Sequence, residues 1–535
     1  MIKESIKAKL DRVRPPRVQI AYDVETGGAV ERREVPFVIG VLGDFSGSGD
    51  SPRSPVHTRT FRQVDFDTFE RAMTEISPRV RLHVLGQVEV DLSFYSIEEF
   101  EPESLVHRVP LLTALSRSQA PEARQQLALH LDFILHAPEF QQLEAAWREL
   151  WFLVSRTESS TMLQIKFLDI TKQELRKDLQ RATEFDQSGL FKLLYEEPYG
   201  QFSGAPFGLL VGSYAFGPSL VDVELLKKLS AIASACHAPF IAAASPQMFG
   251  LQSFSEMADP RDLHQIVQSA EYASWNAFRA NPDARYVALT LPRMLLRSPY
   301  GERPAVSGQY QHVEQIKSSQ HLLWGNAAFA FASCVAGAFA RYSWCAAISG
   351  IDGGGLVEGL PTWVSEKETN GFRSGIEAII TDRREKELSD LGFLPLLPTQ
   401  SADLGVFFTA TSCCRPQMYG NDSANTFSRL MCQLGYVLTS SRFMHYVKVM
   451  ARDRIGSYVV RGDLETYLNR WIQSYVTSDD QASLAVRAKY PLREAHIDIA
   501  DDPENPGSYR IVAFLRPYFQ LEELSVSLRI VGPIP

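Results

Sequence analysis

From Met162 onward the sequence switches repeatedly between two periods, and that switching sharply limits the folds open to it. Leu163–Ile170 reads as a strand, Lys172–Phe185 carries helical spacing, and Gly208–Tyr214 returns to strand. Asp222–Cys236 is helical again and Phe240–Ala244 is a short unbroken apolar run. Near-continuous apolar strands separated by helices read as an α/β layer whose sheet is buried on both faces. Arg285–Leu291, Cys345–Ile348 and Ile376–Ile380 extend the expected strands, and Val35–Leu42 adds an inner strand from far upstream. Helices are expected at 66–76, 102–115, 434–450 and 464–477. Another begins near Pro138, its buried face marked by Leu143, Trp147, Leu150, Trp151 and Val154.

With 535 residues, 45% of them hydrophobic, the chain can bury a large core divided over more than one domain. A net charge of -9 without a dominant basic stripe argues against a nucleic-acid-binding body. The first seventeen residues are basic (Lys3, Lys7, Lys9, Arg12, Arg14, Arg17) but lack the apolar centre of a secretory signal. Six scattered cysteines without a C-x-x-C pair suit free thiols in a reducing compartment. Leu322–Ala340 is uncharged, yet Asn326, Ser333 and its alanines make it a buried core helix rather than a membrane span.

Both ends of the chain carry strands free to pair outside their own domain. Val18, Ile20, Tyr22 and Val24 alternate with polar or small residues between Pro15-Pro16 and Gly27-Gly28. Near the other end, Ala495, Ile497 and Ile499 alternate, DDPENPG turns, and Tyr509–Leu515 returns through Ile511 and Ala513. Val526, Leu528 and Ile530 mark a last strand. Ile379–Leu397 reads as strand, helix, strand, with an Asp382/Glu385 capping box and Gly392 as the left-handed stop. Its helix is almost wholly charged: Arg383, Arg384, Glu385, Lys386, Glu387 and Asp390. Such a helix is either a solvated face or a surface on which another protein docks.

Catalytic patterns are weak. The glycine cluster DGGGLVEG (352–359) lacks the spacing and the lysine of a phosphate loop and reads as a turn. Cys236 adjoins His237, but sequence neighbours point to different sides; no G-x-S-x-G or H-E-x-x-H occurs. We expect no enzyme, cofactor or metal.

Longer runs resemble a specific family. RVQIAYDVETGGAVERREVPFVIGVLGDFSG (17–47), FRQVDFDTFERAMTEISPRVRL (61–82) and FYSIEEFEPESLVHRVPLLTAL (94–115) resemble the small, TssB-like sheath subunit of bacterial type VI secretion systems. LDFILHAPEFQQLEAAWRELWFLVSRTESSTML (131–163), PFIAAASPQMFG (239–250), RYVALTLPRMLLRSPYG (285–301), LLWGNAAFAFA (322–332), GGGLVEGLPT (353–362) and TDRREKELSDLGFLPL (381–396) resemble the large, TssC-like subunit, as does 490–531. The chain thus looks like a fusion: 1–115 small-subunit-like, 116–126 a linker, 127–490 the large-subunit-like body, 491–535 a linking hairpin and strand.

The resemblance implies a sheath-protomer fold of mixed sheets flanked by helices, with terminal strands shared between protomers. It implies a helical homopolymer of six-protomer rings around an Hcp-like inner tube, built on a baseplate at the inner membrane of a bacterial cell and shortening on firing. The charged helix at 381–392 would face the tube. Only a short connection separates Leu115 from Leu131, so an outer domain is expected to be reduced or missing and recycling by a ClpV-type ATPase is doubtful. A non-contracting scaffold or baseplate component is the alternative role.

Overall fold

The computed structural model describes residues 18–534 except 19, 27–28, 49–52, 85–87, 119, 201–203, 259–261, 302–311, 365–372, 400, 402, 455–460, 480–485, 487–488, 502–508 and 518–527. β1 (Tyr22–Thr26) and β2 (Ala29–Arg33) make an antiparallel hairpin. β3 (Phe37–Gly43) and β4 (Arg62–Val64) enter the central sheet, and β5 (Arg79–Val84) pairs with β6 (Val88–Ser93) apart from it. β7 (Leu163–Asp169), β8 (Phe207–Phe216), β9 (Phe240–Ala244), β10 (Val287–Leu291) and β11 (Phe393–Pro395) complete the central sheet. β12 (Leu492–Asp501), β13 (Tyr509–Pro517) and β14 (Leu528–Ile534) form a separate antiparallel sheet near the C-terminus.

The central sheet runs β11-β10-β9-β8-β3-β7-β4, parallel throughout except at the β4 edge. β3 therefore lies inside a sheet whose other parallel strands all come from beyond residue 160. Its seven residues are all buried. Phe37, Ile39 and Val41 point into one core, with α1 (Pro121–Leu135), α2 (Pro138–Ser155) and the later helix Ala327–Tyr342. Val38 and Leu42 point into the opposite core, with α3 (Lys172–Arg181) and α4 (Leu220–Cys236). Period-two alternation thus serves both faces at once. Gly40 is needed in the middle, since a Cβ there would stand 2.8 Å from the Phe207 ring. Each large apolar side chain buried this way contributes about 1.5–3 kcal/mol.

The uncharged stretch folds as α5 (Ala327–Tyr342), buried on nearly every side and capped by Asn326, whose side chain accepts from Ala328 N–H. Two expected strands are absent. Cys345–Ile348 is a series of bends, and Ile376–Ile380 makes only one isolated bridge, Ile376 to Met294. The latter stretch turns inward at Glu377, whose carboxylate accepts two bonds from Arg293 (2.7 and 2.6 Å) and one from Phe254 N–H (3.2 Å). Across 116–126, helices end at Ser116 and resume at Pro121. α6 (Asp382–Asp390), α7 (Leu434–Arg454) and α8 (Arg461–Gln473) complete the long elements used below. α7 and α8 build a third core with Val18, Ile20 and Tyr22 from one end of the chain and β12–β13 from the other.

Candidate assembly and docking surfaces

The C-terminal sheet has one buried and one open face. Ala495, Ile497, Ile499, Ile511, Ala513 and Leu515 pack on α7 and α8, while His496, Asp498 and Phe514 face out. Its two edges are covered by different means. Along β12, α8 presents Glu465, Asn469 and Gln473 at four-residue intervals. Asn469 donates to Ile497 O (2.6 Å) and accepts from Ile497 N–H (2.9 Å), as a neighbouring strand would. Gln473 donates to Ala495 O (2.6 Å), and Glu465 accepts from Ile499 N–H (3.2 Å). Four helical residues rise about 6 Å, close to the ~6.7 Å of two strand residues, so the two ladders match. Unpaired main-chain groups on an edge invite foreign strands, and these three side chains satisfy them.

The other edge, along β13, is covered by β14 with Ala513 opposite Ile530 and Leu515 opposite Leu528. β14 follows β13 in sequence after residues 518–527; among the described residues its strand pairing is with β13, and it also lies beside α7. Val526 lies outside the described residues.

At the N-terminal side the strand begins later than the alternation suggests. β1 starts at Tyr22, and Val24 pairs with Glu31 in the hairpin. Val18, Ile20 and Ala21 are instead anchored by one main-chain bond and by bonds from aromatic side chains. Val18 N–H donates to Tyr342 O (2.8 Å), Tyr446 O–H to Ile20 O (2.6 Å), and Ala21 O accepts from Tyr475 O–H (2.8 Å) and Trp471 Nε1 (2.9 Å). The aromatic donors take up the Ile20 and Ala21 carbonyls that a strand partner would otherwise bond.

α6 is capped differently from the expected box. Thr381 is the N-cap without a side-chain cap bond, which puts Arg384 rather than Glu385 at the third helical position, and Glu385 instead accepts from Thr409 Oγ1 (2.8 Å). Gly392, at φ +80°, ends it in the left-handed region where a side chain would be strained. The six charged residues divide. Glu387 accepts from Leu263 N–H (3.0 Å) and from Arg384 (2.8 Å), so Arg384, Glu385 and Glu387 are half-buried and bonded within the chain. Arg383, Lys386 and Asp390 lie exposed along one stripe. Ligand atoms of Asp262, His264 and Glu387 fall within 4.8 Å of one another, but both Glu387 oxygens are already engaged.

The edge-capping residues and the aromatic anchors escaped the sequence reading. The i, i+4, i+8 polar stripe Glu465-Asn469-Gln473 was their one visible signal.

A core built on a sheet that draws strands from both halves, with a C-terminal edge strand and a charged helix at the surface, defines one body in which the two parts of the chain fold together. Comparison with known proteins identifies its family. The model for the EvpB/VC_A0108 tail sheath N-terminal domain matches residues 121–414, and that for its gpW/gp25-like domain matches 423–534. The model described as type VI secretion system, VipA, VC_A0107 or Hcp2 matches 10–144. The chain is 39% identical to type VI secretion system sheath protein TssC1 of Pseudomonas aeruginosa, over 84% of this chain and 91% of that protein. It is 36% identical to sheath protein TssB1 of the same organism, over 23% of this chain and 72% of that protein. Solved structures of the anti-feeding prophage are also similar, each at 10% identity and a TM-score of 0.36. Its helical sheath in the contracted state covers 95% of this chain and 96% of its own, and its baseplate 71% and 79%. The chain belongs to the type VI secretion tail-sheath family and unites a TssB-like and a TssC-like subunit in one polypeptide. The family is structural. Among the described residues no helix is long and apolar enough to cross a membrane.

Proposed function

We propose that this contractile-sheath subunit polymerises through its terminal strands into stacked six-protomer rings around an Hcp-like tube, on a baseplate at the cytoplasmic side of the inner membrane. The observation that carries the reading is β14, which among the described residues pairs only along β13 and follows it after ten residues of sequence. Moving that strand onto the β13 of a neighbour keeps every main-chain bond and changes only the chain that supplies it. The asymmetric edges support a directional exchange: α8 closes β12, leaving β13 as the receiving edge. The N-terminal hairpin, held next to the same core, is the second link to a neighbour. Contraction is then rotation of the central bodies about these links, with no nucleotide hydrolysed in the stroke.

The exposed stripe Arg383, Lys386 and Asp390 is the surface offered to the inner tube. Exposed ion pairs are worth about 0–1 kcal/mol each, which suits a grip repeated along a tube and later released. Recycling by a ClpV-type ATPase is not part of this proposal.

Electron microscopy of the purified chain with an Hcp-type tube protein tests the reading. We expect tubes in two lengths, long when loaded and short when fired. Truncation before Ser525 should abolish tubes while leaving the folded body in solution. Rings or caps of one fixed height would instead support a non-contracting scaffold. Deleting 18–24 is a poorer test, because Val18, Ile20 and Tyr22 belong to the chain's own core.

A further inference from the structure

At the carboxyl end of the central sheet lies a cavity of about 660 Å³. It opens where the connections part: the chain after β3 goes toward β4 and β7, and the chain after β8 goes toward β9 and β10. Open α/β sheets bind ligands at such switch points because the diverging loops leave a crevice. The volume falls within the about 300–1,000 Å³ of ligand sites.

The wall of this crevice is an organised polar network. Glu149 of α2, 4% exposed, accepts from Ser213 O–H (2.5 Å) and from Asn326 N–H (2.7 Å), and all three residues line the cavity. Asn326 is itself fixed, donating to Gly212 O (2.9 Å) and accepting from Thr290 O–H (3.2 Å). Four other charged residues line the cavity: Asp44, Glu139, Lys172 and Arg293. Lys172 is paired with Asp222 (2.6 Å), Arg293 with Glu377 (2.6 Å), and Asp44 with Arg53 (2.6 Å). Among the described residues Glu149 has no cationic partner, and burial raises its pKa to about 7. The cations on the wall are matched and so is Asp44, which leaves Glu139 and Glu149 as the lining carboxylates without an ion pair among the described residues. A buried carboxylate without a counter-charge is costly, and a positive ligand group would offset that cost.

We propose that this crevice binds a small organic cation, whose ammonium or guanidinium group pairs with Glu149. The charged head sits against the Glu149–Ser213 pair at the strand ends, and the remainder of the ligand lies in the open part of the crevice. Since only the carboxylate form of Glu149 pairs with a cation, binding strengthens as pH rises through about 7 and releases a proton below it.

Isothermal titration of the full chain with spermidine and with agmatine, at pH 6 and pH 8 and constant ionic strength, tests this. The two probes separate ammonium from guanidinium recognition. We expect saturable binding of at least one probe, one site per chain, weakened several-fold at pH 6, with heats that vary with buffer ionisation there. Glu149→Gln should weaken binding by roughly tenfold or more at pH 8 and flatten the pH profile. No saturable binding of either probe at millimolar concentration and pH 8 would overturn the proposal, as would binding that Glu149→Gln leaves unchanged. If that variant does not fold, the pH profile of the unaltered chain decides: a transition near pH 7 supports the site and a flat profile overturns it.

Discussion

The two main sheets of this molecule solve opposite problems. The central sheet is parallel except at its β4 edge, covered on both faces, and threads β3 between β7 and β8, so β3 cannot leave without exposing two cores. The C-terminal sheet is antiparallel, covered on one face, and ends in a strand held along one edge. A body that must carry force needs the first, and a link that must join subunits needs the second. On the proposed reading, the difference makes one chain rigid within a protomer and exchangeable between protomers. It also shows that the two subunit-like parts are not docked modules, since β3 completes a sheet formed by the other part.

Substitutions that weaken each sheet sharpen the contrast. Phe37→Ala, at the buried start of β3 where its ring stacks on Phe339 at 4.9 Å, should cost about 3–5 kcal/mol in chemical denaturation. Asn469→Ala should cost about 1–3 kcal/mol by leaving Ile497 N–H and C=O without their partner. Its sharper signature is a newly open β12 edge, seen as concentration-dependent association in sedimentation velocity. An equal loss without association would mean that the edge needs no guard.

An acid titration separates the ion network of the body from both sheets. Glu314 is buried, which raises its pKa, but the hydrogen bond from His136 and the Arg297 guanidinium outweigh this and hold it down to about 2. A depressed carboxyl contributes stability that is present above its ordinary value of 4.5 and lost as pH falls from there toward about 2. Glu314→Gln should therefore be less stable at pH 7 yet lose less than the parent between pH 5 and pH 3. The smallest effect on folding is expected from Arg383→Glu with Lys386→Glu, within about 0.5 kcal/mol, although tube loading in a pelleting assay should fall sharply. Unchanged loading would mark α6 as a solvated face.

Much of the central layer was legible because buried parallel strands are written as apolar runs, a pattern that β3, β8, β9 and β10 follow while β7 alternates Leu163, Ile165 and Phe167 with Gln164 and Lys166. Strand order was not legible, since nothing local in FVIGVLG says that it lies between segments more than a hundred residues downstream. Cys345–Ile348 and Ile376–Ile380 misled because a short apolar run fits a buried bend as well as a strand. The charged α6 was visible as a surface element, but its sidedness came only with Thr409 and Leu263, which occupy Glu385 and Glu387. The guard on β12 hid for a similar reason: Glu465, Asn469 and Gln473 look like a solvated stripe until the strand beside them is known.

Strand exchange can be read directly from the Ala513–Ile530 pair, which face each other across β13 and β14. One chain carrying Ala513→Cys and a second, differently sized chain carrying Ile530→Cys are mixed unassembled, then polymerised around the tube protein and oxidised. Exchange predicts a disulfide-linked heterodimer in the polymer and none in the unassembled mixture. Polymers that form normally and yield no heterodimer would show that β14 stays with its own chain, and would contradict the account.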